Sequence, residues 1–71
     1  METKKVSELQ RNDIININPL NPGTNPAYSY IVASATPTKD NSYIVVKLLT
    51  HEGAKVVESW EPDSEIHLGE W

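Results

Sequence analysis

One long stretch without charge constrains this chain more than any other feature. No Asp, Glu, Lys or Arg occurs from Ile14 to Thr38, although charged residues are frequent on both sides of it. The centre of the stretch, residues 18–26, reads NPLNPGTNP, with three prolines, three asparagines and one glycine. Proline fixes φ and lacks the backbone donor that helices and central strands need. Residues 18–26 must therefore form a loop.

Aromatic residues border this loop, because Tyr28 and Tyr30 follow it directly. The centres of protein interfaces are enriched in aromatic side chains and depleted of charge. The neutral loop is therefore the best candidate for a contact surface. We expect a partner to contact two asparagines and four apolar or aromatic side chains: Leu20, Asn21, Asn25, Tyr28, Tyr30 and Trp60. The ordinary alternative is that Tyr and Trp are half-buried core residues of a small fold.

The length and composition restrict the remaining possibilities. A chain of 71 residues predicts one domain, 1–71, of modest stability. The absence of cysteine excludes disulfides, thiolate zinc sites and thiol catalysis. No apolar run reaches the length of a signal peptide or a membrane span. We therefore expect a cytoplasmic protein that does not enter a membrane, is a monomer or a weak homodimer, and has flexible residues 1–5.

The charge is acidic and unevenly distributed. Six Lys and Arg residues against ten Asp and Glu residues give a formal charge of −4, which disfavours general binding to duplex DNA. Five carboxylates and no Lys or Arg follow Val57. This acidic end either aids solubility or faces a basic partner.

Alternation of apolar and polar residues predicts five short strands. They cover residues 14–18, 28–36, 43–50, 54–60 and 66–68. The third is the most hydrophobic and directs Ile44, Val46 and Leu48 inward, which suits the centre of a sheet. Residues 51–53 form a tight hairpin turn, and Pro62 begins a single helical turn before the last strand. In front of the first strand, residues 6–9 form a short turn that packs Val6 and Leu9 against the body, with Ser7 as its cap.

Five strands, a long first loop and a one-turn helix predict a small all-β barrel, closed or half-open. The pattern resembles the SH3-like barrels, and more narrowly the small, mostly uncharacterised barrel proteins of bacteria and phages. The motifs that carry the resemblance are VSEL at 6–9, DII at 13–15, Gly53, WEPD at 60–63, Ile66 and Leu68. The resemblance implies an accessory protein of a bacterium or phage that binds and modulates a host protein. Peptide-binding SH3 domains carry an acidic first loop and a paired tryptophan, which this chain lacks.

Catalytic chemistry has little support in the sequence. His51 and His67 are the two histidines, and neither lies in a recognised catalytic or metal motif. A metal site can be drawn from His67, Asp63 and Glu65, but no known zinc or calcium spacing is present. We therefore predict a protein that is not an enzyme and that needs no metal and no cofactor.

Two functions remain for this chain. The first is a non-enzymatic protein-interaction module that uses residues 18–30. The alternative is a role linked to nucleic acid, as a weak single-strand binder or as an acidic inhibitor of a DNA-binding protein. Aromatic side chains favour single-strand binding, whereas the absence of a basic groove opposes it.

Overall fold

The computed structural model describes residues 2–71 and is built from short strands. The strands are β1 (Thr3–Lys5), β2 (Ile14–Asn16), β3 (Ser29–Pro37), β4 (Ile44–Leu49), β5 (Lys55–Trp60) and β6 (Glu65–His67). The only helical segments in residues 2–71 are two single 3-10 turns, Val6–Glu8 and Pro26–Tyr28. The predicted all-β class is therefore confirmed.

The strands form two antiparallel sheets. The larger sheet has the order β2-β3-β4-β5, and the smaller pairs β1 with β6. A bridge between Ile15 and Leu68 joins the two. The long strand β3 contains a bulge between Val32 and Ser34, which increases local bending of the strand. The pairing within residues 2–71 thus gives two bridged sheets, without the ring of paired strands that a closed barrel requires.

The core lies on one face of the larger sheet and receives residues from the segment before β2. Its fully or nearly fully buried apolar side chains are Val6, Leu9, Ile15, Val32, Ile44, Val46 and Leu48. The predicted inward face of β4 is confirmed by this arrangement. The 3-10 turn at Val6–Glu8 buries Val6 as expected, but its N-cap is Lys5 and no side chain caps it, so the predicted role of Ser7 is wrong.

The structure differs from the prediction at the N-terminal end. Residues 1–5 were expected to be flexible, but Thr3–Lys5 pairs residue by residue with β6. Met1 lies outside the described residues. The residues that pair with β1 are 60 to 64 positions away in the sequence, so no local pattern predicts this strand. In addition, the ammonium of Lys4 bonds Asp13 Oδ2 at 2.9 Å and helps to hold the strand.

The helical turn expected before the last strand is not formed. Only a tight turn occurs there, in which Ser64 N–H donates to the carbonyl of Glu61 at 3.0 Å. The carbonyls of Pro62 and Ser64 accept hydrogen bonds from the backbone of Ser7 and Val6. A contact between distant parts of the chain therefore takes the carbonyl groups that a continuing helical turn would use.

Candidate functional site

The loop between β2 and β3 is organised around one buried side chain, that of Asn16. Its amide nitrogen donates to the carbonyl of Asn25 at 2.9 Å and to the hydroxyl of Ser29 at 3.1 Å. Its amide oxygen accepts from the backbone N–H groups of Asn18 and Gly23, both at 3.1 Å. An asparagine amide has two donor hydrogens and two acceptor lone pairs. Asn16 therefore uses its full capacity to tie four points of the loop together.

A second asparagine shapes the tip of the loop. The side-chain oxygen of Asn18 accepts from the backbone N–H groups of Leu20 and Asn21, at 3.0 and 3.3 Å. Its amide nitrogen donates to the carbonyl of Thr24 at 3.3 Å. Asparagine favours such local turns because its short side chain reaches backbone groups two or three residues onward. The loop has an internal network of hydrogen bonds although it contains no sheet ladder.

The foot of the loop, residues 25–28, has its own cap. Asn25 adopts a left-handed conformation with φ of 66°, which asparagine tolerates better than most residues. Its side chain accepts a hydrogen bond from the N–H of Ala27 and so caps the 3-10 turn Pro26–Tyr28. Tyr28 N–H in turn donates to the carbonyl of Asn25, and Ile17 N–H donates to the carbonyl of Tyr28.

The predicted contact residues divide into exposed and packed ones. Leu20 is 93% exposed and Tyr28 is 40% exposed. Asn21 is exposed, and its side chain makes no hydrogen bond within residues 2–71. Tyr30 and Trp60, in contrast, are half-buried and pack against the hydrophobic core. The ordinary alternative of a core role therefore holds for these two aromatic residues.

Trp60 lies far from the loop along the sheet. It pairs with Ile44, which pairs with Pro37 at the end of β3, whereas Tyr30 lies near the start of that strand. At roughly 3.3 Å per strand residue, the two ends of β3 are separated by about 26 Å along the strand. The structure thus brings together residues 20–28 and leaves Trp60 outside that group.

A cleft with a mixed polar and apolar lining borders the loop on the side of the second sheet. Its volume is about 550 Å³, and its lining includes Asn25, Pro26, Gly69 and two carboxylate residues, Glu2 and Glu70. Asn16 also lines it. A Cβ atom on Gly69 would lie 2.7 Å from the Cβ of Asn16, closer than real Cβ atoms approach one another. Only glycine therefore lets the segment that follows β6 lie against Asn16 at the end of β2.

The turn between β4 and β5 also contacts the foot of the loop. His51 Nε2 lies 2.8 Å from the carbonyl oxygen of Pro26. Because a carbonyl oxygen only accepts, this hydrogen bond requires the proton on Nε2. The imidazole also stacks on Trp71, with ring centroids 3.8 Å apart and planes at 22°. One histidine thus joins a hairpin turn, the loop and the segment after β6.

Sequence reasoning missed the roles of Asn16, Asn18, Gly69 and His51. A usable signal existed for Asn18, because Asn directly precedes Pro at 18, 21 and 25, a pattern typical of side-chain-capped turns. Asn16 is flanked by isoleucines in a predicted strand and has no such signal. No local pattern marks Gly69 or His51, since their roles depend on residues that are distant in sequence. The metal trio drawn from the sequence is not formed, because no three His, Asp or Glu side chains of residues 2–71 lie where they could hold a metal ion.

The chemistry of the loop is that of a braced, neutral surface with one apolar tip and one aromatic side chain at its foot. Across residues 2–71, no helix has the length and apolar character needed to cross a membrane.

The resemblance to SH3-like barrels has no further support from sequence or structure comparison. The chain was compared with protein-family models, curated proteins and solved structures, and none of them matched.

Proposed function

We propose that this chain is a non-enzymatic protein-binding module of SH3-like architecture, and that residues 18–28 form its main contact surface. The observation that carries the proposal is Leu20, which is 93% exposed at the tip of a hydrogen-bonded loop. Burying such a side chain against a partner contributes about 2 kcal/mol. A second apolar contribution comes from Tyr28 at the foot of the same loop.

The internal bracing of the loop favours binding. Ordering a flexible loop on association costs free energy, and a loop that is already ordered avoids much of that cost. Asn16 and Asn18 supply the order through hydrogen bonds with the loop backbone. These two amides are therefore structural, and the polar contact to a partner is assigned to Asn21, whose side chain is exposed and free of hydrogen bonds within residues 2–71.

The order of the strands supports the SH3-like part of the proposal. A first strand, a long loop and a three-stranded meander occur in succession as β2, the loop and β3-β4-β5. After β6, Leu68 bridges Ile15 of β2, so the C-terminal segment lies beside the strand that precedes the loop, as in a half-open barrel. By the same resemblance, we propose that the partner is a host protein that this chain modulates as an accessory factor.

The test is affinity capture from a nuclease-treated lysate of the source organism, followed by titration of the purified partner. The baits are the wild-type chain, the double variant Leu20→Ser/Tyr28→Ala, and the control Tyr43→Ala. Tyr43 suits the control because it is 48% exposed, comparable with Tyr28, and lies outside the loop. Tyr30 is left unchanged because it packs against the core.

We expect the affinity of the double variant for the partner to be lower than that of wild type by on the order of tenfold or more. The control should bind as wild type does. The affinity should change little between about 0.1 M and 1 M salt, because apolar burial is not screened. A partner that binds the double variant as tightly as wild type contradicts the proposal. Capture from a parallel lysate without nuclease that is lost in the nuclease-treated lysate supports the role linked to nucleic acid instead.

A further inference from the structure

The outer edge of the larger sheet is unpaired. β5 is the last strand in the order β2-β3-β4-β5, and no strand within residues 2–71 lies on its other side. Thr50 N–H donates to the carbonyl of Ala54 at 2.9 Å, so these two residues form a hydrogen-bonded pair. Hydrogen-bonded and non-hydrogen-bonded pairs alternate along the antiparallel β4-β5 ladder. By that alternation, the backbone groups of Lys55, Val57 and Ser59 point away from β4. The edge therefore presents free donors and acceptors along Lys55–Trp60.

The sheet face beside this edge is apolar and partly open. The core residues Val32, Val46 and Leu48 occupy the inner face, so the alternate positions of β3, β4 and β5 lie on the outer face. A shallow apolar cleft of about 360 Å³ crosses it, lined by Ala33, Lys47, Leu48, Leu49, Lys55 and Val57. Val57 is 59% exposed, although valine at a strand position usually packs against something.

The charge of this face is opposite to that of the whole molecule. The formal charge of the chain is −4, yet the outer positions of β3, β4 and β5 contain two lysines and no carboxylate. Lys47 and Lys55 are both exposed, and neither forms an ion pair within residues 2–71. Acidic groups beside the apolar contacts of a ligand would therefore complement the charge of this face.

We propose that an extended segment of a partner protein, with acidic and apolar residues in alternation, adds to β5 as a fifth strand of the larger sheet. Its backbone would pair with the free groups of Lys55, Val57 and Ser59, which is the geometry of β-strand addition. Its carboxylates would face Lys47 and Lys55. This surface is separate from residues 18–28, and neither proposal depends on the other.

Two other occupants fit the face less well. A second copy of the chain could pair its β5 antiparallel with this β5, with Val57 opposite Val57. Lys55 would then lie opposite Ser59, and no carboxylate would face the lysines. A single nucleic-acid strand requires several basic groups and stacking aromatics. The outer positions of β3, β4 and β5 offer two lysines and no aromatic ring, and the nearest outward aromatic residue, Tyr43, precedes β4.

The test uses the ¹⁵N-labelled full chain and a capped synthetic peptide of alternating Glu and Val. Backbone amide shifts locate the contact, and a titration measures affinity. The amides of Lys55, Val57 and Ser59 should shift and become protected from hydrogen exchange. A peptide of alternating Lys and Val and an oligothymidylate are the comparison ligands, and neither should bind comparably.

Variants of the protein test the contribution of the lysine charge and that of backbone pairing along β5 separately. Lys47→Glu/Lys55→Glu should weaken peptide binding by on the order of tenfold or more, whereas Arg11→Glu/Lys39→Glu, with the same change in net charge on two turns, should not. Val57→Pro removes only an outward-facing donor, a position where edge strands tolerate proline, and should also abolish binding. If that variant does not fold, a peptide N-methylated at alternate residues blocks the same ladder from the ligand side.

Each contrary result overturns the proposal. The proposal is wrong if the Glu-Val peptide does not bind at a concentration of roughly 1 mM, which corresponds to the weakest affinity of interest. Equal binding of the Lys-Val peptide or of oligothymidylate is another contrary result. Concentration-dependent shifts of the β5 amides without peptide would assign the edge to a second copy of the chain. Leu20→Ser/Tyr28→Ala should bind the peptide as wild type does, which keeps this test independent of the loop.

Discussion

At the scale of single residues, Asn16 has the largest structural role relative to its size. It is buried, it is polar, and all four of its hydrogen-bonding positions are used. A buried polar side chain of this kind is stabilising because its partners would otherwise lack hydrogen bonds. The conformation of the proline-rich loop therefore depends on one amide at the end of β2.

This role predicts the effect of removing the amide. Asn16→Ala should lower the free energy of unfolding by about 2–3 kcal/mol, because it leaves partners in the loop without hydrogen bonds. Asn21→Ala, in the same loop, should change it by less than about 0.5 kcal/mol, because the Asn21 side chain is exposed and makes no hydrogen bond within residues 2–71. Urea unfolding measures both values. Equal effects of the two substitutions would show that the Asn16 network does not stabilise the loop.

At the scale of elements, β1 shows how a charged segment becomes a strand. Its three residues pair with β6, and Lys4 binds the Asp13 carboxylate at 2.9 Å. Partial burial raises the pKa of Asp13, but the backbone N–H of Gln10 and the ammonium of Lys4 outweigh it, so the pKa lies below its usual value of 3.8. The ionised carboxylate is thus stabilised more in the folded protein than in the unfolded chain.

The direction of this pKa shift predicts a dependence of stability on pH. Because the pKa of Asp13 is lower in the folded protein, the unfolded chain binds more protons in acid. The contribution of Asp13 to the free energy of unfolding is therefore complete above pH 3.8 and is lost as the pH falls through the folded pKa. Asp13→Asn should reduce the free energy of unfolding at pH 7 by about 0.5 kcal/mol, since solvent screens a partly exposed pair. The difference from wild type should shrink in acid.

Denaturant unfolding at neutral and acid pH measures this difference. The pKa of Asp40 is also lowered, by the backbone N–H of Ser42 and the hydroxyl of Thr38, but Asp40 is present in both proteins and cancels in the comparison. Asp63→Asn, an exposed carboxylate in a turn, is the matched control. A difference between Asp13→Asn and wild type that stays constant with pH would contradict the assigned role of the Lys4–Asp13 pair.

At the scale of the whole molecule, stability rests on a small core. Within residues 2–71, seven buried apolar side chains from the larger sheet and the segment before β2 form this core, and Ile66 of the smaller sheet packs against it. A domain of this length has a free energy of unfolding of roughly 4–10 kcal/mol. A single core side chain is therefore a large part of the total.

We expect Leu48→Ala to lower the free energy of unfolding by about 3 kcal/mol, because Leu48 is fully buried and its truncation leaves a cavity. Leu20→Ala removes the same atoms from an exposed site and should change it by less than about 0.5 kcal/mol. Thermal and urea unfolding of both variants test the contrast. A large loss from Leu20→Ala would mean that the tip of the loop packs against the body, and would remove the basis for assigning it to a partner.

Much of the fold and part of the site could be predicted locally. Alternation identified the inward face of β4, and the prolines identified the loop that carries Leu20 and Tyr28. Trp60 and Tyr30 could not be assigned in this way, because exposed and half-buried aromatic residues have the same local pattern. Their positions depend on which strands pair and on how β3 bends at its bulge.

The sequence by itself determined the all-β class, the place of the proline-rich loop and the lack of disulfides, because each follows from the chemistry of neighbouring residues. Only the tertiary structure decided that Thr3–Lys5 is a strand, that Asn16 braces the loop and that Gly69 must lie against Asn16. These features require contacts between residues that are far apart along the chain. Such contacts have no period or motif in the sequence, since they arise only when the two sheets pack.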